Sequence, residues 1–126
     1  MSLLVIGLSH HTPPIEVLER VAALDVDRTL TELGAADAVA EVLLLSTCNR
    51  IEVYSEVSRF HAAVEGLTAA VAKGAGLTGE ELSKYLYVHY EHAAVRHAFR
   101  VTSGLDSMVV GDEQIRGQFR KSVRNS

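Results

Sequence analysis

The chain has 126 residues, of which 48% are hydrophobic and 22% charged, with one cysteine and a formal net charge of −4. That length supports one ordinary domain with its own core, and the composition excludes a disordered or fibrous protein. A lone cysteine excludes an internal disulfide and suits a reducing compartment, and no apolar run approaches the length of a membrane-spanning helix. The opening Met1-Ser2-Leu3-Leu4 lacks the basic n-region and cleavage site of a signal peptide, so the expectation is a cytoplasmic protein with no membrane association. Charge is uneven: residues 1–94 carry 6 basic and 13 acidic side chains, residues 95–126 carry 6 and 3. A basic end on an acidic body can meet phosphate locally, or can be the solvated face of a helix.

In chain order, Leu3–Leu8 is a continuous apolar run that reads as a buried strand. Ser9-His10-His11-Thr12-Pro13-Pro14 interrupts it, and Thr12 before proline predicts a helix start carrying Ile15, Leu18, Val21 and Ala22. Asp25 or Asp27 can cap a second helical piece with Leu30 and Leu33, closed by Gly34. Val39–Leu45 is the next strand. Residues 50–57 alternate, with Ile51, Val53 and Ser55 on one face and Glu52, Tyr54 and Glu56 on the other, the period of a half-buried strand. So few residues separate these strands that they should form an antiparallel hairpin with Cys48 at or beside its turn. Phe60, Val64, Leu67 and Val71 give an amphipathic helix ended by Gly74 and Gly76. Thr78-Gly79-Glu80-Glu81 has the form of a capping box. Tyr85–His89 reads as a fourth strand, Glu91–Thr102 as a helix ended near Gly104, and the segment after Gly111 as helical with a basic face. The order β-α-β-β-α-β predicts an α+β, ferredoxin-like antiparallel sheet covered by helices on one face, with extra C-terminal helices.

Cys48 sits in Ser46-Thr47-Cys48-Asn49-Arg50, where an apolar run gives way abruptly to small polar residues and an arginine. A nearby cation favours thiolate over thiol, and the thiolate is the nucleophile. A free cysteine is equally at home as a small buried hydrophobe, so the sequence leaves both roles open. His97, on a predicted helix, can approach Cys48 across the fold as general acid or base, or pack on the sheet through its ring. His89-Tyr90-Glu91-His92 is not His-Glu-x-x-His and has no cysteine pair beside it, so no metal site is expected. Neither a Gly-x-Gly-x-x-Gly turn after a strand nor a P-loop is present.

Three separated motifs carry a resemblance. Residues 46–54, Ser-Thr-Cys-Asn-Arg-Ile-Glu-Val-Tyr, resemble the nucleophile motif of glutamyl-tRNA reductases. Residues 103–118, from Ser103-Gly104-Leu105-Asp106-Ser107-Met108 to Gln114-Ile115-Arg116-Gly117-Gln118, resemble that family's second signature. Gly7-Leu8-Ser9-His10-His11-Thr12-Pro13-Pro14 is similar to its opening motif, and His97 in Arg96-His97-Ala98-Phe99-Arg100 matches its active-site histidine. The chain departs from the family at Pro13, where alanine is usual, at Asp112-Glu113, and after Gln118.

The resemblance implies an enzyme of tetrapyrrole (porphyrin, heme) biosynthesis in which a cysteine thiolate attacks glutamyl-tRNA. The thioester so formed is reduced by NADPH to glutamate semialdehyde. It implies Cys48 as nucleophile, His97 as catalytic partner, and Thr47, Asn49, Arg50, Ser107, Gln114 and Gln118 as substrate-binding groups. A guanidinium suits that work because its planar fork meets a carboxylate through two hydrogen bonds. It further implies that residues 1–126 form a single catalytic domain. It implies too that the family's NADPH-binding and dimerisation domains are absent from this chain, and that the full-length protein is a homodimer. On this reading the chain alone lacks reductase activity. Two other classes remain open: a noncatalytic ferredoxin-like binding module, and a Cys-His esterase unrelated to tRNA.

Overall fold

The computed structural model describes residues 1–46, 50–107 and 114–120, of which 102–107 and 114–120 are described by their backbone alone. Strand β1 (Ser2–Ser9) leads through helices α1 (Ile15–Ala22) and α2 (Val26–Ala35) into β2 (Val39–Ser46) and β3 (Arg50–Val57). Helices α3 (Phe60–Ala75) and α4 (Gly79–Ser83) then lead to β4 (Leu86–Tyr90), α5 (His92–Ser107) and β5 (Gln114–Arg120). The sheet order is β4-β1-β3-β2-β5, with every neighbouring pair antiparallel. The first four strands reproduce the ferredoxin-like order expected from the sequence pattern, and the hairpin of β2 and β3 is formed as expected.

Alternation along the strands builds two unlike faces. Leu4, Ile6 and Leu8 of β1, Val42 and Leu44 of β2, and Val53 and Val57 of β3 point to one side. There they meet Val21, Leu30, Leu33, Ala63, Leu67, Val71 and Leu82 from α1 to α4. Local signals set the helix ends. The Asp25 carboxylate accepts from the Arg28 N–H at 3.0 Å and caps α2. Thr78 and Glu81 form the reciprocal capping box, at 3.0 and 2.9 Å, that opens α4. Gly76, at φ 72°, takes the left-handed conformation that closes α3.

The opposite face carries Val5 and Gly7 of β1, Glu52 and Tyr54 of β3, and Tyr87 and His89 of β4. It is covered too, where a half-buried β3 was expected. Helix α5 lies on it, with Ala94 fully buried and His97 only 5% exposed. Its start is tied to β1 by the Glu91 N–H, which donates to the Leu3 carbonyl at 2.9 Å. Because β3 sits centrally under helices on both sides, Glu52 is 0% exposed and not on a solvated edge.

Two further differences from the sequence reading concern ends of elements. Ile15, expected on the buried face of α1, is 74% exposed, while Val17, Leu18 and Val21 reach the core. The segment after Gly111 was expected to be helical, yet residues 114–120 form β5 on the outer edge of β2. An edge strand presents a row of unpaired N–H and C=O groups, and pairing with that row outweighs a weak helical pattern.

Candidate active site

Gly7 pairs with Glu52 on one side and Tyr87 on the other, so Glu52, Gly7 and Tyr87 stand in one row across three strands. Glu52 is the centre of that row. Its Oε1 accepts the Tyr54 hydroxyl at 2.7 Å and its Oε2 accepts the Tyr87 hydroxyl at 2.5 Å. The same Oε2 meets Nε2 of His97, delivered from α5. The Arg50 guanidinium, two residues back along β3 and half exposed, stands 3.8 Å from Oε2. A carboxylate taken out of water loses several kcal/mol of solvation, and two phenols, a ring nitrogen and a guanidinium together offset that loss. Removing one partner of a buried ion pair costs roughly 3–5 kcal/mol, so the cluster acts as a unit.

Burial, and after it the Glu52 carboxylate, push the Tyr54 hydroxyl far above the ordinary phenol range. The same two causes, in the same order, act on Tyr87. Both phenols therefore stay protonated and serve as fixed donors. His89 of β4 stacks on His97, with ring centroids 4.4 Å apart and planes 23° from parallel. Burial, and after it the neighbouring His97 and Arg100, lower the His89 pKa, which favours a neutral ring. Tyr87 closes the aromatic group, its ring centroid 5.6 Å from that of His97 and 5.5 Å from that of His89.

The residues singled out from sequence fall into three groups. Arg50 and His97 come together on Glu52. Ser107 ends α5, and β5 places Gln114 opposite Ser46 and Gln118 opposite Leu43 at the backbone level. Gln114 is thus in register with the last residue of β2, immediately before the Thr47-Cys48-Asn49 segment in sequence. Thr47, Cys48 and Asn49 lie outside the described residues, as does the proposed turn position of Cys48. Glu52, Tyr54, Tyr87 and His89 were not singled out for a role. Glu52 and Tyr54 lie inside the motif at 46–54, but only the second helical layer reveals that they are enclosed. Tyr87 and His89 belong to a short strand with no motif of its own.

A buried carboxylate holding a histidine, next to an arginine at a strand end, brings together groups that can exchange a proton. The chain matches the family model described as glutamyl-tRNAGlu reductase, N-terminal domain, over residues 6–126. It belongs to that family. It is 52% identical to a glutamyl-tRNA reductase of Streptomyces coelicolor over 126 residues, covering 98% of this chain and 22% of the relative. It is 50% identical to that of Salinispora arenicola over 122 residues, covering 95% of this chain and 27% of the relative. With that of Kineococcus radiotolerans the identity is 48%, over 98% of this chain and 28% of the relative. The chain thus spans about a quarter of the length of the glutamyl-tRNA reductases it matches.

Proposed function

We propose that this chain is the acyl-transfer domain of a glutamyl-tRNA reductase, in which Cys48 receives the glutamyl group from tRNA. The observation that carries this reading is the His97–Glu52 couple, enclosed beneath α5 and flanked by Arg50, in a chain of that family. The Cys48 thiolate attacks the carbonyl carbon of the aminoacyl ester. A carbon–sulfur bond forms, the carbon–oxygen bond to the tRNA ribose breaks, and the departing oxygen takes a proton. His97 supplies it from the ring nitrogen that first took the proton of the Cys48 thiol. A thioester stays electrophilic, which keeps the acyl carbon reactive for the next step. Arg50 offers the guanidinium that reads the free carboxylate of the glutamyl group, with Thr47, Asn49, Ser107, Gln114 and Gln118 as further polar contacts.

NADPH supplies the hydride in the complete reaction. The described part of this chain does not fit that cofactor: its sheet is antiparallel, and no strand passes through a glycine-rich turn into a helix to receive a pyrophosphate. Its own residues therefore account for acylation, and the reduction and homodimer formation belong to the full-length enzyme. Incubation with glutamyl-tRNA should give a glutamyl adduct on Cys48, found by intact-mass and peptide mass spectrometry and abolished in Cys48→Ser. No adduct, or one that persists in Cys48→Ser, overturns the assignment. An esterase unrelated to tRNA would instead turn over simple activated esters and ignore the charged tRNA.

A further inference from the structure

Tyr87 and Glu52 stand on strands that are not neighbours, with β1 between them. To reach Oε2, the Tyr87 ring must lie flat across β1, and it crosses at Gly7. A Cβ built on Gly7 would stand 2.5 Å from Cζ and from Oη of Tyr87, and 2.7 Å from Cε1. No side chain fits there unless the ring leaves. Gly7 has no left-handed φ. Its lack of a side chain therefore serves close approach, not backbone freedom.

We propose that Gly7, Tyr87, Tyr54 and Glu52 form a positioning device for His97, fixing both its ring and its tautomer. Glu52 receives two phenol hydrogens, and those phenols are held protonated by their surroundings. A carboxylate already arranged as a pure acceptor calls for a third donor at Oε2, so the hydrogen sits on Nε2 of His97. Nδ1 is then the ring nitrogen left to exchange a proton with the substrate. The stack on His89 fixes the plane of the ring from its other side. Gly7 and Tyr87 act through Glu52, and Glu52 acts through His97. This inference rests on the acyl-transfer reading for its consequence but not for its geometry.

The test uses the 126-residue chain with 15N-labelled histidine and two readouts: the His97 tautomer from long-range 1H–15N spectra, and the rate of Cys48 acylation by glutamyl-tRNA. In the parent chain His97 should be the Nε2–H tautomer. Glu52→Gln should remove that bias and slow acylation by about 10²- to 10⁴-fold, the range a positioned acid or base contributes. Tyr87→Phe, which keeps the ring and loses one hydrogen bond to a charged group, should slow it about tenfold. Gly7→Ala should reproduce the loss, but should add nothing further in a Tyr87→Ala background, where the ring that it would strike is gone. An Nδ1–H tautomer in the parent chain overturns the proposal, as does unchanged tautomer and rate in Tyr87→Phe and Gly7→Ala. Absence of the adduct from the parent chain, with the Nε2–H tautomer intact, overturns the acyl-transfer reading and the catalytic consequence drawn here while leaving the geometry standing.

Discussion

Glu52 decides the character of the second sheet face. A glutamate at 0% exposure is unusual, since acidic side chains are almost never fully buried unless paired. Here each carboxylate oxygen is answered by a tyrosine hydroxyl, and one of them also by His97. The two tyrosines give this arrangement a signature in alkali. Their pKa values are raised in the folded chain, so their contribution to stability is complete below the ordinary tyrosine value of about 10 and is lost as pH rises beyond it. The unfolded chain ionises there first, which pulls the equilibrium toward unfolding. Urea titrations at rising pH should show a steep fall in stability above that value for the parent chain. The fall should be shallower in a variant carrying Tyr54→Phe and Tyr87→Phe, and equal slopes would mean that the hydroxyls are not held as described.

At the scale of elements, legibility followed the range of the signal. Helix α4 could be read from four consecutive residues because its determinants are local. The Thr78 hydroxyl and the Glu81 carboxylate satisfy backbone donors that no tertiary contact supplies. Thr78→Ala should therefore destabilise the chain by about 0.5–2 kcal/mol in chemical denaturation, with the adduct-forming site untouched. A loss below that range would indicate that the packing of Leu82, fully buried, holds α4 without its cap. The strands β1 to β4 were legible from apolar runs and alternation. The last strand, β5, was not, because Gln114–Arg120 has no apolar period of its own and owes its conformation to the free edge of β2. Likewise, alternation placed Glu52 opposite Val53 without telling which face was wet. That depended on α5, which returns to the sheet from forty residues downstream in sequence. Arg50 and His97 could be singled out because motifs carry them. Gly7 and Tyr54 lie in motifs too, but the role of Gly7 and Tyr87 is a crossing between strands that exists only once the sheet order β4-β1-β3 is formed, and that of Tyr54 follows from the burial of Glu52.

For the whole molecule, the two faces divide the labour. One is an ordinary apolar core under α1 to α4. The other is a polar layer under α5, which holds a histidine, a glutamate and an arginine within reach of one strand end. At that strand end Ser46 of β2 pairs with Ile51 of β3 and with Gln114 of β5, and Arg50 precedes Ile51. Under the proposed function, the buried His97 serves the chemistry of Cys48. The decisive measurement is the rapid-quench rate of Cys48 acylation by glutamyl-tRNA in the parent chain and in His97→Gln. Acylation should occur in both, slowed by about 10²- to 10⁴-fold in the variant. Equal rates in a variant that retains the parent's thermal stability would contradict it.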